Sequence, residues 1–251
     1  MPARLAKTGN ATVTCKEKCP CGRCCVGRSK PARLSRVGYT LIGAMTRQLD
    51  PAITTSLTDA VRDLELRSCA EVVVEVRGRS GSYAFADARF AAGLAFAGLL
   101  LLLFSPWPFD SAWVAIDVAI LYAAGVAIAQ RSMAIRRLMT SDRERTVRVQ
   151  TTARAVFVER RVSYTEQATG LLVYLSLLER RIEIVEDRGV LVAVQPEEWN
   201  RLVATARESR NASAATLLDL LHRLAVVLCE CLPAVAGDRD ELPDAPRFVI
   251  E

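Results

Sequence analysis

The sequence predicts an α/β domain: a small mixed sheet flanked by helices, with a two-helix transmembrane hairpin inserted after its first strand. Three observations carry this. A long interval lacks cationic residues, a valine-rich alternating segment precedes it, and a strand-turn-strand pattern follows about a hundred residues later. Between Arg89 and Arg131 there is no lysine, arginine or histidine, and two apolar runs fill the interval, Phe90 to Phe109 and Ala112 to Ala129. Each run is close to the ~20 residues an α-helix needs to cross a ~30 Å hydrocarbon core, and the prolines of Ser105-Pro106-Trp107-Pro108 break the helix between them. The alternative is a pair of buried core helices, but a helix of a soluble domain normally keeps one polar stripe, whereas Ala91 to Leu103 is apolar or glycine all round.

Both outer flanks of this hairpin are basic. Arg77, Arg79 and Arg89 precede it, Arg131, Arg136 and Arg137 follow it, and the connecting loop holds only Asp110. Lysine and arginine beside membrane spans stay on the cytoplasmic side, so the polar parts are expected in the cytoplasm. Asp117 lies near enough to the loop to snorkel to the interface, although a carboxylate at membrane depth is also a functional candidate. Trp107, Trp113 and Tyr122 suit an interfacial belt, with Tyr122 deeper than the rest.

Ahead of the hairpin, Ile53, Leu57, Val61 and Leu64 recur at helical spacing after Pro51, which predicts an amphipathic helix over 50–67. Glu71 to Arg77 then alternates, with Val72, Val74 and Val76 on one face and Glu71, Glu75 and Arg77 on the other, as in a half-buried strand. Its partners must come from beyond the hairpin. There, Ser141-Asp142-Arg143-Glu144 is a capping-box pattern opening a helix whose apolar face is Val149, Ala153, Val156 and Phe157. Arg154, Arg160 and Arg161 read as solvated charges on that helix. Leu171 to Ser176 reads as a central strand, Leu177 to Arg180 as a turn and Arg181 to Glu186 as the returning strand, with a further turn at Asp187 to Gly189. Pro196-Glu197-Glu198-Trp199 opens a helix to about Arg210, with Trp199 as its anchor to the sheet, and Leu217, Leu221, Leu224 and Leu228 line a last helix over 214–231. His222, the single histidine, has no neighbouring nucleophile or second histidine with which to form a triad or zinc site.

These elements divide the chain into a basic, cysteine-rich tail (1–47), the first part of the domain (48–88), the hairpin (89–130), the remainder of the domain (131–245) and a C-terminal tail (246–251). The net charge of +5 resides in the tail: residues 1–44 carry nine Lys/Arg and one Glu, leaving −3 for the rest. A nucleic-acid partner is therefore not expected; the lipid bilayer and a membrane-protein partner are. The tail has no apolar stretch of signal-peptide type before Val37, so the hairpin is expected to direct insertion, and translation from Met45 is an alternative start. Cys15, Cys19, Cys21 and Cys24, with Cys25, crowd into eleven residues without a second cluster, which admits a loose thiolate zinc tract or an unstructured tail. Cys69, Cys229 and Cys231 are expected to be small buried apolar residues.

The run from Ala168 through Ser176, Glu179 and Arg180 to Asp187 and Gly189 resembles the central motif of the TPM domain: a glycine-led apolar strand, a Ser-x-x-Glu-Arg turn, a second strand and an Asp-x-Gly. The valine-rich strand with Ser80-Gly81-Ser82-Tyr83 is similar to that family's first strand and loop, and Pro196 to Trp199 to its next helix start. Leu232 to Asp244 resembles the acidic, proline-rich ending of its membrane-bound bacterial branch. The resemblance implies the α/β fold, a phosphatase-like activity or divalent-cation binding, and a role in assembly or maintenance of membrane complexes. It also implies a domain often held outside the cytoplasm, against the reading from the basic flanks.

A Ca²⁺ or Mg²⁺ site needs several converging oxygens, and Asp187, Asp238, Asp240 and Asp244, with Glu241, are the candidates. The same acids also read as a solvated tail, since the glycine and distal glutamate of an EF-hand are absent. Many relatives carry an acid beside the glycine equivalent to Gly170, where this chain has Ala168-Thr169. No phosphate loop, HExxH or nucleophile elbow is present, so no catalytic residue is assigned. Two classes of function remain: a non-enzymatic membrane-anchored interaction or assembly module, and a divalent-metal-dependent phosphatase-like hydrolase.

Overall fold

The computed structural model describes residues 51–106, 111–235, 241–243 and 245–249. Four strands form a mixed sheet: β1 (Glu71–Arg77), β2 (Gly170–Ser176), β3 (Arg181–Glu186) and β4 (Arg247–Val249), in the order β3-β2-β1-β4. β1 runs parallel to both β2 and β4, and β2 is antiparallel to β3. The pairing of Glu71 with Gly170 through Arg77 with Ser176 joins segments a hundred residues apart, as the isolated valine-rich strand requires. Sequence reasoning did not anticipate β4, which is only three residues long.

Alternation along the strands sorts side chains onto two faces. Val72, Val74, Val76, Leu171, Val173, Leu175, Ile182 and Ile184 pack on one face against α1 (Pro51–Glu65), α7 (Pro196–Glu208) and α8 (Ala214–Cys231). Leu57, Val61, Leu64, Trp199, Leu217, Leu221, Leu224 and Leu228 supply that layer, at the helical spacing read from the sequence. Val73, Leu172 and Tyr174 point the other way, against Val149, Ala153, Val156 and Phe157 of α5 (Asp142–Glu159). The Ser141 hydroxyl accepts the Glu144 N–H and caps α5, as the capping-box pattern predicts. Gly170 is required where β2 begins, because a Cβ there would enter the backbone of Val162.

Two expectations are corrected here. β1 is covered on both faces rather than half-buried, because α5 lies over the side that carries Glu71 and Glu75. The segment from Asp187 is not a bare turn: it opens α6 (Arg188–Ala193), with Asp187 as its N-cap.

Between β1 and α5 the chain forms α2 (Ala84–Leu103), α3 (Ser111–Arg131) and the short α4 (Met133–Leu138). α2 and α3 are long and apolar enough to cross a membrane, with mean hydropathy 1.7 in each. They pack side by side through small residues: a Cβ on Gly125 would sit 2.7 Å from the Ala91 Cα. Their ends meet at the domain, where Arg136 of α4 donates two hydrogen bonds of 2.8 Å to Asp87 in the first turn of α2. Nearby, Arg89 donates to the Met139 carbonyl at 3.3 Å.

Candidate functional site

In α/β sheets the ends of parallel strands at their carboxyl side are the usual place for polar groups to gather. Here β1 and β2 end at Arg77 and Ser176, and the loop into α2 and the turn into β3 leave from that edge. The turn Leu177–Arg180 brings Glu179 beneath the loop Gly78–Tyr83. Glu179 is 2% exposed. Its Oε1 accepts the Ser80 N–H at 2.9 Å and the Tyr83 hydroxyl at 2.6 Å, and its Oε2 accepts the Ser176 hydroxyl. The Ser80 hydroxyl meets the Tyr174 hydroxyl at 2.8 Å. Burial raises the Tyr83 phenol well above its usual range, and the adjoining Glu179 carboxylate adds to this. Burial likewise pushes Tyr174 up to about 12. Both phenols therefore stay protonated, Tyr83 donating to Glu179, and neither is a nucleophile.

A second buried carboxylate lies one pleat away. Glu75 is 0% exposed, with Arg77 Nε at 2.5 Å from Oε1 and Arg160 Nε at 2.8 Å from Oε2. This corrects the reading of Arg160 as a solvated charge: it leaves the end of α5 to neutralise a carboxylate in the central strand, 85 residues earlier. An ion in such a place needs a close partner, since removing a charge from water costs several kcal/mol. On β3, Arg207 neutralises Glu183 with hydrogen bonds of 3.0 and 2.5 Å, while burial still holds that carboxyl above the ordinary range.

Where the loop enters α2, a cavity of about 360 Å³ opens between the domain and the apolar helices, lined by Arg79, Tyr83, Asp87, Tyr122, Gln130 and Arg136 among others. The Arg148 guanidinium stacks on the Tyr83 ring, 4.7 Å from its centre. Chemically this edge is a clamp. Both oxygens of Glu179 and both of Glu75 accept hydrogen bonds from the protein itself; those from Ser80 and Tyr83 to Glu179 tie the loop leading into the first apolar helix to the sheet edge.

The candidates named from the sequence lie elsewhere. Asp187 sits at the opposite end of the sheet; its Oδ1 accepts the Arg188 N–H at 2.7 Å, and its buried Oδ2 has no partner among the described residues. Glu241 accepts the Glu166 N–H at 3.1 Å, and the Leu242 N–H reaches Glu71 at 3.2 Å, so the acidic ending touches the same end as Asp187. Asp238, Asp240 and Asp244 lie outside the described residues, as do Cys15, Cys19, Cys21 and Cys24 and Trp107. Among the described residues no three His, Cys, Asp or Glu side chains come together to hold a metal ion. Cys69 is buried, whereas Cys229 and Cys231 are only half-buried, a correction to the expectation for these two. His222 is exposed on α8 and Asp117 is half-buried on α3.

Sequence reasoning missed the roles of Glu75, Glu179, Asp87 and Arg136. A signal was available for two of them: Glu75 interrupts four valines in a central strand, and Asp87 precedes an uncharged span. Such carboxylates need partners.

No protein-family model matches the chain, and no curated protein matches it. Among solved structures the chain is similar to the NMR structure of the BA42 protein from the psychrophilic bacterium Bizionia argentinensis, with 14% identity and a TM-score of 0.46. The alignment covers 82% of this chain and 99% of that one, and at this level of likeness it carries no argument about the site.

Proposed function

We propose that the chain is an integral membrane protein of two spans, α2 and α3. It presents a TPM-like α/β domain at the cytoplasmic face, as a non-enzymatic module for interaction with, or assembly and maintenance of, a membrane-protein partner. The observation that carries the membrane reading is the exposure of α2 and α3. Only 22% and 11% of their most apolar windows are buried, whereas the core helix of a soluble domain would be mostly covered. Phe96, Leu101, Leu103, Trp113 and Ile120 are all more than half exposed, an apolar surface that water would not tolerate but a bilayer would cover. The basic flanks support the cytoplasmic side. Arg77 and Arg136 are ion-paired, but the rule counts lysine and arginine themselves rather than net charge.

Support for a module rather than a hydrolase comes from how the buried polar edge is used. Its two carboxylates are engaged by the protein, and its phenols are held protonated by burial. A partner of the cavity beside Tyr83 and Tyr122 would read both the domain and the spans at once.

The test has three arms. Membranes carrying the full chain are washed with alkaline carbonate, and the chain is expected to stay with the bilayer; release would defeat the spanning assignment. A Leu138→Cys variant, compared with the parent chain in intact cells, is expected to resist an impermeant thiol reagent until the cells are opened. Labelling in intact cells would place the domain outside. Turnover of a generic phosphate ester by the purified chain with Mg²⁺ or Ca²⁺, lost in both Asp187→Ala and Asp240→Ala, would replace the module by the metal-dependent phosphatase.

A further inference from the structure

We propose that the arginines gathered where α4, the β2–β3 turn and the start of α5 meet form a docking surface for anionic lipid headgroups of the bilayer that α2 and α3 enter. This inference rests on the membrane reading above. Three guanidinium groups act on the Asp142 carboxylate, and Arg137 and Arg180 stand beside one of them, Arg145. Arg145 and Arg181 take the two oxygens of Asp142 at 2.9 and 2.7 Å, and Arg210 lies close enough to stabilise the same charge. Glu144, one turn away, is held by Arg148 at 2.7 Å.

Neither Arg137 nor Arg180 bonds to Asp142. Arg137 donates only to the Met133 carbonyl at 3.3 Å, and Arg180 to the side-chain oxygen of Asn211 at 3.3 Å. The Nε of Arg145 is buried without a hydrogen-bond partner among the described residues. Partial burial first, then the neighbouring Arg180 and Arg145 charges, disfavour the cationic form of Arg137. Like charges held this close call for an anion from outside.

Position says which anion. Arg137 lies six residues beyond the end of α3, and its neighbour Arg136 is bonded to Asp87 in the first turn of α2. Met139 packs against Tyr83 and Leu178, which places the β2–β3 turn at the same base of the two apolar helices. Met133 and Leu138 flank the arginines on α4, 51% and 78% exposed. Exposed apolar side chains interleaved with arginines are the composition of a segment lying in the headgroup region. Charges at this depth meet phosphodiester groups, and each Lys or Arg near an anionic surface contributes on the order of a fivefold gain in local association.

The test uses the full chain reconstituted in phosphatidylcholine vesicles containing a trace of spin-labelled phosphatidylglycerol or spin-labelled phosphatidylcholine. The motionally restricted fraction of each label reports lipid at the protein surface. The wild type is expected to prefer the anionic label several-fold at low salt, with the preference falling as salt screens it. The variant R137Q/R180Q/R210Q, which removes none of the Asp142 bridges, is expected to bring the ratio close to one. R62Q/R161Q/R188Q removes the same charge from exposed positions at the far end of the sheet and is expected to keep the preference. A wild type that stays with the vesicles after a carbonate wash but shows no preference overturns the lipid surface and leaves the spans standing; that is also the result if the cluster serves an acidic protein partner. Equal loss in the distal variant overturns it as well, and release by carbonate overturns both inferences.

Discussion

Replacing Glu179 by alanine tests the clamp most directly. The side chain is 2% exposed and accepts from the Ser80 N–H, the Tyr83 hydroxyl and the Ser176 hydroxyl. Alanine removes the acceptor from three donors at a buried edge, and each orphaned buried donor costs about 1–3 kcal/mol. Ser176 can turn its hydroxyl, and deleting a buried carboxylate recovers part of its desolvation cost. The net loss is therefore about 3–4 kcal/mol, at the low end of the simple sum. For a domain of this size, about 2–4 °C is lost per kcal/mol, so the thermal midpoint in detergent should fall by roughly 10 °C. Glutamine keeps a carbonyl oxygen for Ser80 and Tyr83 and turns its amide toward Ser176, which can accept; its cost is about 1 kcal/mol. The assay is thermal unfolding of the full chain followed by near-ultraviolet circular dichroism, with hydrogen exchange at the Ser80 amide as the local reading. Equal stability of the alanine and glutamine variants, or an alanine variant whose Ser80 amide stays protected, would refute the argument.

Arg160→Met removes one of the two guanidinium groups facing buried Glu75, and a charge-assisted hydrogen bond of this kind is worth about 1.5–3 kcal/mol; a shift in the denaturation midpoint below 0.5 kcal/mol would mean that Arg77 alone suffices. In the apolar helices, Gly125→Ala should weaken the α2–α3 contact by about 1–3 kcal/mol, because its Cβ would meet the Ala91 backbone. Gly98→Ala should cost less, since it meets the movable end of Leu121, and resistance to unfolding in dodecyl sulfate should rank the two in that order. Tyr174, pushed up to about 12 by burial, holds its proton more tightly folded than unfolded, so its contribution is complete below pH 10 and is lost as pH rises through about 12. Tyr174→Phe should flatten that alkaline decline, read as the pH dependence of the denaturation midpoint; parallel curves would show that another group is responsible.

Helix and strand placement was largely legible because it depends on local period. Leu57, Val61 and Leu64, or Leu217 to Leu228, can bury themselves in only one way, and the Ser141 cap announces α5 three residues ahead of the Glu144 N–H it accepts. The need for long-range pairing was legible as well, since a lone valine-rich strand before the apolar interval has no local partner. The three-residue β4 was not, because so short a segment has no period and owes its conformation to the open edge of β1.

The polar edge was readable only in fragments. Glu179 with Ser176 and Ser80 with Tyr83 stood out as motifs, yet their roles depend on donors and acceptors brought together from nearly a hundred residues apart. Arg160 looked solvated because helical position predicts which side a residue faces, not what stands there. Here a buried Glu75 stands there, and the electrostatic cost of leaving it alone decides the orientation of the arginine.

By itself, the sequence determined the two long apolar helices, their basic flanks and the alternation of the strands, all properties of neighbours along the chain. Only the tertiary structure decided that β1 is central, that Asp87 locks to Arg136 at the root of those helices, and that Arg137, Arg180 and Arg145 gather beside Asp142. The physical reason is the range of the forces involved. Hydrophobic periodicity is written within a few residues, whereas burying a charge is settled by whichever opposite charge the finished fold brings within hydrogen-bond distance.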